Sequence, residues 1–184
     1  AGADLRAVTI PDLEECRAAH LIILGSELFA AWEEPYAKHR TEFGLDVRSS
    51  LALMQAYTAV DYVRAQTYRT RLIETFDRLF QEVDVVLTPG TGMAAPQIPE
   101  ERLPEGISDF GAMAKIMRFA FPSNLTGYPA VSFPVGYTAD NLPVGLQAMA
   151  GPWQEEKLLQ LARFTEQLVE RRAPEVCFDP LGEV

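Results

Sequence analysis

Phe121-Pro122-Ser123-Asn124-Leu125-Thr126-Gly127-Tyr128-Pro129-Ala130 runs directly into Val131-Ser132-Phe133-Pro134-Val135. In the first ten residues, Asn124 can hold a turn by hydrogen-bonding neighbouring backbone. Gly127 can take a positive φ, and Pro129 fixes the entry to the next segment. That segment, residues 131–135, alternates Val131, Phe133 and Val135 with Ser132 and Pro134, so the spacing predicts a turn that delivers the chain into a strand. A second strand, Val144-Gly145-Leu146-Gln147-Ala148-Met149, lies beyond Asp140-Asn141-Leu142-Pro143. A hairpin is the simplest connection. Leu142-Pro143-Val144-Gly145 would set its register, with Gly145 permitting close approach of a neighbouring element. A purely structural turn accounts for the same residues.

Upstream, Phe110, Met113, Ile116, Met117 and Ala120 recur at helical spacing, which predicts a helix over residues 109–121 that stops before Pro122. Before it, Pro89, Pro96, Pro99 and Pro104 forbid a regular ladder and favour an irregular covering loop. That loop comes after Asp84-Val85-Val86-Leu87, a compact apolar run read as a buried strand ending at Thr88-Pro89-Gly90. Thr58-Ala59-Val60-Asp61 resembles a capping box and opens a helix to about Glu82, whose stripe Val60, Val63, Tyr68, Leu72, Phe76 and Phe80 reads as core. Asp46 is expected to cap a helix through Tyr57. The first helix is expected from the acidic turn Asp12, Glu14 and Glu15 to about Trp32, weakened at Gly25 and broken near Glu34-Pro35. Residues 7–10 are a further strand candidate. Downstream, Glu155 and Glu156 lead a helix with Leu158, Leu161, Ala162, Thr165, Leu168 and Val169 on one face, and Arg163, Arg171 and Arg172 towards its basic end. Strands interleaved with helices predict an α/β layered fold: a few strands of a larger mixed β-sheet flanked by helices.

The 184 residues, 48% hydrophobic, suffice for one domain with a core. A formal net charge of -10 would repel a phosphate backbone, so no nucleic-acid partner is expected. Cys16 and Cys177 allow a disulfide or two reduced thiols, but no set of four sulfur ligands. The apolar run Leu21-Ile22-Ile23-Leu24-Gly25 falls far short of the roughly 20 residues that span a bilayer. Ala1-Gly2-Ala3-Asp4 shows no secretory signal. These absences favour a cytoplasmic protein or one in peripheral contact with a membrane.

Generic catalytic motifs fail. Lys38, Lys115 and Lys157 are the only lysines, and none follows a serine at SxxK spacing. Gly90-Thr91-Gly92 lacks the Lys-Ser or Lys-Thr of a phosphate loop, and His20 and His39 lack HExxH spacing. No metal site and no cofactor are expected.

The specific signal is an order of motifs between Asp84 and Glu170: a strand ending in Thr88-Pro89, then the 121–130 segment, Leu142-Pro143-Val144-Gly145-Leu146-Gln147, and Trp153-Gln154-Glu155-Glu156-Lys157-Leu158-Leu159. Together with Tyr62, Arg69, Phe76 and Asp84, it resembles the amidase-signature family, most like its fatty acid amide hydrolase branch. The resemblance is strong over residues 59–170 and looser over the helical lead-in, 1–58. It implies that residues 1–184 form the C-terminal portion of an amidase domain.

It also implies the chemistry. Amidase-signature enzymes use a Ser, a bridging Ser in a cis peptide bond and a Lys, which lie with a Gly/Ser-rich oxyanion loop in the family's N-terminal half. No segment here matches them, so no catalytic residue is assigned, and Ser108, Ser123 and Lys115 are not promoted to the role. The implied partner is that N-terminal half; a homo-oligomer is left open. In glutamine-using relatives an acidic residue precedes the Pro of the Pro-x-Asn motif by five positions, where this chain has Met117. Met113, Met117 and Phe121 on one helical face suit an apolar acyl or aryl group. With Thr88 and Asn124 they form the candidate substrate-binding set, and the implied substrate is a small hydrophobic amide such as an N-acylethanolamine. The alternative is a non-catalytic binding or interaction module that retains the amidase scaffold.

Overall fold

The computed structural model describes residues 2–11, 13–98, 109–170 and 172. Among them, six α-helices and three strands run in the order α1 (Leu13–His39), α2 (Leu45–Met54), α3 (Ala59–Leu79), β1 (Val86–Pro89), α4 (Phe110–Ile116), α5 (Phe121–Thr126), β2 (Ala130–Tyr137), β3 (Pro143–Met149) and α6 (Glu155–Glu166). A single 3-10 turn, Arg40–Glu42, joins α1 to α2.

The strands form one sheet in the order β1-β3-β2, with both pairings antiparallel. β2 and β3 are the expected hairpin. Its loop closes through Thr138 N–H donating to the Leu142 carbonyl at 2.8 Å, with Asn141 at φ 62°. Helices cover both faces of the sheet. On one face Phe133, Ala148, Ala150 and Leu158 are buried together, with Val131, Leu146, Leu161 and Ala162 packed around them beneath α6. On the other, Met149 joins the larger helical core of Cys16, Ala19, Ala65, Leu72, Phe76, Phe121, Leu125 and Tyr128. The layered α/β expectation is met, its described strands being antiparallel throughout.

Local chemistry explains most boundaries. Thr58 and Asp61 form the expected capping box: the Thr58 hydroxyl accepts from Asp61 N–H at 3.2 Å, and Asp61 Oδ2 accepts from Thr58 N–H at 3.0 Å. The Thr58 hydroxyl and backbone bonds hold the Asp61 carboxyl below the usual carboxylate range. Gly127 ends α5 in the left-handed region at φ 80°.

Five expectations need correction. α1 does not break at Pro35 but continues to His39. Burial of Tyr36, edge-on to Phe29 and Phe43, offsets the hydrogen bond that proline removes. Gly25 is a contact site rather than a weak point, because an added Cβ would lie 2.7 Å from the Tyr57 ring. α2 ends at Met54, short of Tyr57, and its N-cap is Gly44; Asp46 instead sits in the first turn, where Oδ1 accepts from Val47 N–H. Residues 7–10 are not hydrogen-bonded into the sheet; Ile10 packs against the helical core, away from any strand partner. The helix expected over 109–121 is two helices. Asp109 caps α4, residues 117–120 turn, and Pro122 is accommodated in the first turn of α5, where its missing N–H costs nothing. Asp12, Pro99, Pro104, Ser108, Arg171 and Cys177 lie outside the described residues.

Candidate functional site

The candidate site lies where the chain leaving β1 meets the end of α4 and the 117–120 turn. In the antiparallel register Thr88 faces Gln147, and Gln147 faces Ser132, so three polar side chains form a row across one face of the sheet. Gln147 is buried, and its Nε2 donates to the Phe119 carbonyl at 2.8 Å, tying the 117–120 turn to β3. The Thr88 hydroxyl is buried without a hydrogen-bond partner among the described residues. Such a group is costly unless something outside these residues meets it.

The loop after β1 is fixed on both sides. Gly90 N–H donates to the Gly145 carbonyl at 2.8 Å, and a Cβ on Gly90 would lie 3.2 Å from that residue's backbone. The close approach expected at Gly145 is therefore present, but the missing side chain that permits it belongs to Gly90. Gly92 N–H donates to the Ile116 carbonyl at 3.2 Å, and a Cβ on Gly92 would collide with the Lys115 carbonyl oxygen.

The five sequence-derived residues are only partly gathered. Met117 ends α4 half-buried against the helical core, and Phe121 opens α5 fully within it, its ring 5.1 Å from that of His20. Met113 does not join them: it is 51% exposed on α4. The single helical face expected for these three is broken by the 117–120 turn. Thr88 stands in the polar row. Asn124 is exposed and lines a separate cleft of about 240 Å³ between α1, α3 and α5, with His20, Glu27, Gln66 and Arg69. The turn expected at Asn124 is helix instead: its N–H donates to the Ala120 carbonyl at 3.3 Å.

Gln147 and Arg69 stand among the residues that carry the family resemblance, but what each holds in place is not legible in the sequence. Gln147 is the one side chain with hydrogen-bonding groups in the run from Val144 to Met149. Arg69 Nε donates to the Leu125 carbonyl at 2.6 Å across 56 positions, and nothing local in the sequence shows that.

The described residues offer no activated nucleophile at this place. Ser123 is buried, with Oγ donating to the Ala120 carbonyl at 3.2 Å. The Cys16 thiol lies in the core, where burial pushes its pKa up to about 12. Burial also lowers the His20 pKa, and its Nδ1 has no partner among the described residues. Lys115 is exposed, and Lys157 Nζ pairs with Asp84 at 2.7 Å, holding that carboxyl below its usual range. Among the described residues no cluster of His, Cys, Asp or Glu could hold a metal ion, and no helix is long and apolar enough to cross a membrane.

A sheet with helices on both faces, entered through this turn, is an architecture shared with solved amidases. The chain superposes on one crystal structure of an amidase with a TM-score of 0.79 and 26% identity, covering 91% of this chain and 38% of that one. The chain belongs to the Amidase family, whose model matches residues 1–159. It is 41% identical over 184 residues to the fatty acid amide hydrolase of Medicago truncatula, covering 98% of this chain and 30% of that protein. It is 40% identical to the fatty acid amide hydrolase of Arabidopsis thaliana over the same shares. The chain thus spans about 30% of the length of these relatives.

Proposed function

We propose that this chain is the C-terminal portion of a serine amidase that hydrolyses the carbon–nitrogen bond of a hydrophobic acylamide, such as an N-acylethanolamine. Its contribution is part of the wall against which the acyl group lies. The observation that carries this is Met117, a thioether half-buried beside Phe121 at the position where glutamine-using relatives carry an acid. A thioether cannot pair with an ammonium group but packs well against methylenes. The Thr88 hydroxyl, buried without a partner among the described residues, supports a role in meeting the substrate or the remainder of the enzyme.

The chemistry is that of the family. A Lys takes the nucleophilic serine's proton through the bridging Ser, and the serine oxygen attacks the amide carbonyl. The C–N bond breaks as the amine leaves with a proton, and water hydrolyses the acyl-enzyme. Those three residues are expected in an N-terminal half supplied with this chain. Without it, the outer edges of β1 and β2 and the exposed Phe110 and Met113 favour self-association.

Co-expression with a matching N-terminal half, followed by a serine-reactive fluorophosphonate and a substrate comparison, tests the proposal. Labelling of the N-terminal half and faster turnover of a long-chain acylamide than of glutamine are expected. Faster glutamine turnover overturns the substrate class. Absence of labelling in the assembled pair overturns the amidase activity and leaves a binding module.

A further inference from the structure

α5 has six residues and no side-chain cap at its start, too short to persist on its own. Its last carbonyls need donors from elsewhere. Within the segment, the Ser123 carbonyl accepts from Gly127 N–H at 2.8 Å and the Pro122 carbonyl from the Thr126 hydroxyl at 2.6 Å. The Leu125 carbonyl is met from α3, by Arg69 Nε at 2.6 Å. A guanidinium at a helix C-terminus is favoured both as a charge-assisted donor and by the helix dipole.

A second anchor lies just past the helix. The Tyr128 hydroxyl donates to Asp77 Oδ1 at 2.5 Å and lies 3.2 Å from the Ile73 carbonyl. Residues 69, 73 and 77 are spaced by four and therefore share one face of α3. The two anchors flank Gly127, the residue with φ of 80° where the chain reverses. Arg69 is itself braced towards α1: Gln66 Oε1 lies 3.5 Å from Nη1, Gln66 Nε2 donates to the Tyr62 hydroxyl at 3.0 Å, and that hydroxyl donates to Glu27 Oε1 at 2.9 Å.

We propose that Arg69 and Tyr128 are positioning residues: a two-point clamp by which α3 fixes the attitude of α5, and through it the placement of Phe121 and the adjoining Met117. Their effect on acyl selectivity rests on the proposed amidase function; their effect on α5 does not. Arg69 cannot be replaced by a lysine without loss, since an ammonium lacks the planar fork that reaches the Leu125 carbonyl and Gln66 together. Tyr128→Phe removes one oxygen and leaves the ring packed among Phe76 and Phe80.

The test uses the chain assembled with its N-terminal half, comparing wild type, Arg69→Lys and Tyr128→Phe by amide hydrogen exchange and by acylamide kinetics over a series of chain lengths. Each variant is expected to speed exchange at Leu125, Thr126 and Gly127 by about tenfold or more, with β3 and α6 unchanged. KM for long-chain acylamides should rise several-fold, with kcat and short-chain turnover nearly constant. Unchanged exchange at α5 in both variants overturns the clamp. Faster exchange with all substrates slowed in equal proportion makes the two residues structural only, and overturns the positioning role. If the wild-type assembly turns over no amide, the amidase function falls while the exchange measurement still decides the clamp.

Discussion

α4 and α5 are consecutive and similarly short, and α4 is the more apolar in sequence, yet it is α5 that is buried. α5 has five of its six residues buried and is bonded to α3 at its end and just beyond it. α4 has no buried residue, and Phe110 and Met113 are about half exposed. A helix of one or two turns gains little from its own hydrogen bonds, so what separates the two is tertiary partnership. α5 has its partners within this chain. α4 is held chiefly through the Gly92 backbone and the 117–120 turn, and its Phe110 and Met113 stay half exposed among the described residues.

The sharpest way to break this contrast is a matched pair of truncations in urea unfolding. Phe121→Ala should cost about 3–5 kcal/mol and Phe110→Ala no more than about 0.5 kcal/mol, because only the first opens a cavity. Equal losses would show that α4 is as well partnered as α5. Gly92→Ala tests what holds α4. The added methyl meets the Lys115 carbonyl, and a loss of about 1–3 kcal/mol with faster exchange confined to residues 90–93 and 113–118 is expected.

Tyr128→Phe should cost about 1–2 kcal/mol at neutral pH. Burial and the neighbouring Asp77 raise the Tyr128 pKa above its ordinary value of 10.0. The folded state therefore holds that proton more tightly than the unfolded chain, and wild type should lose stability as pH climbs above about 10 more steeply than the phenylalanine variant. Parallel melting curves would remove Tyr128 from the clamp. The smallest effect is at His20. Burial lowers its pKa below 6.5, so on acidification the unfolded chain takes up the proton first and stability falls as pH drops below about 6.5. His20→Asn should flatten that component between about pH 7 and 5 in thermal melts; an unchanged slope would place the dependence on carboxylates.

Where information is local, the sequence is legible. The Thr58–Asp61 capping box, the left-handed Gly127, the β2–β3 hairpin and the amphipathic α6 all arise from neighbours within a few positions. The corrected helix boundaries share one cause. Pro35 and Pro122 both carry the local signature of a helix stop, but one lies in a helix held by buried aromatics and the other in the first turn of a helix held by Arg69. The candidate site divides similarly. Met117 and Phe121, expected with Met113 on one substrate-facing helical face, pack against the core instead, whereas Met113 faces outward because the turn at residues 117–120 breaks that face; Asn124, expected in a turn, lies exposed on α5.

By itself, the sequence determined the order of the main helices and strands, the left-handed reversal at Gly127, and membership of the Amidase family, since these depend on side-chain type at short spacing and on the order of motifs. Only the tertiary structure decided that Thr88, Gln147 and Ser132 form one row, that Gly90 rather than Gly145 permits the close crossing, and that α3 holds α5 through Arg69 and Tyr128. The physical reason is distance along the chain. A hydrogen bond between residues more than fifty positions apart leaves no periodicity, cap or turn signature at either end, and it exists only once the layers have packed.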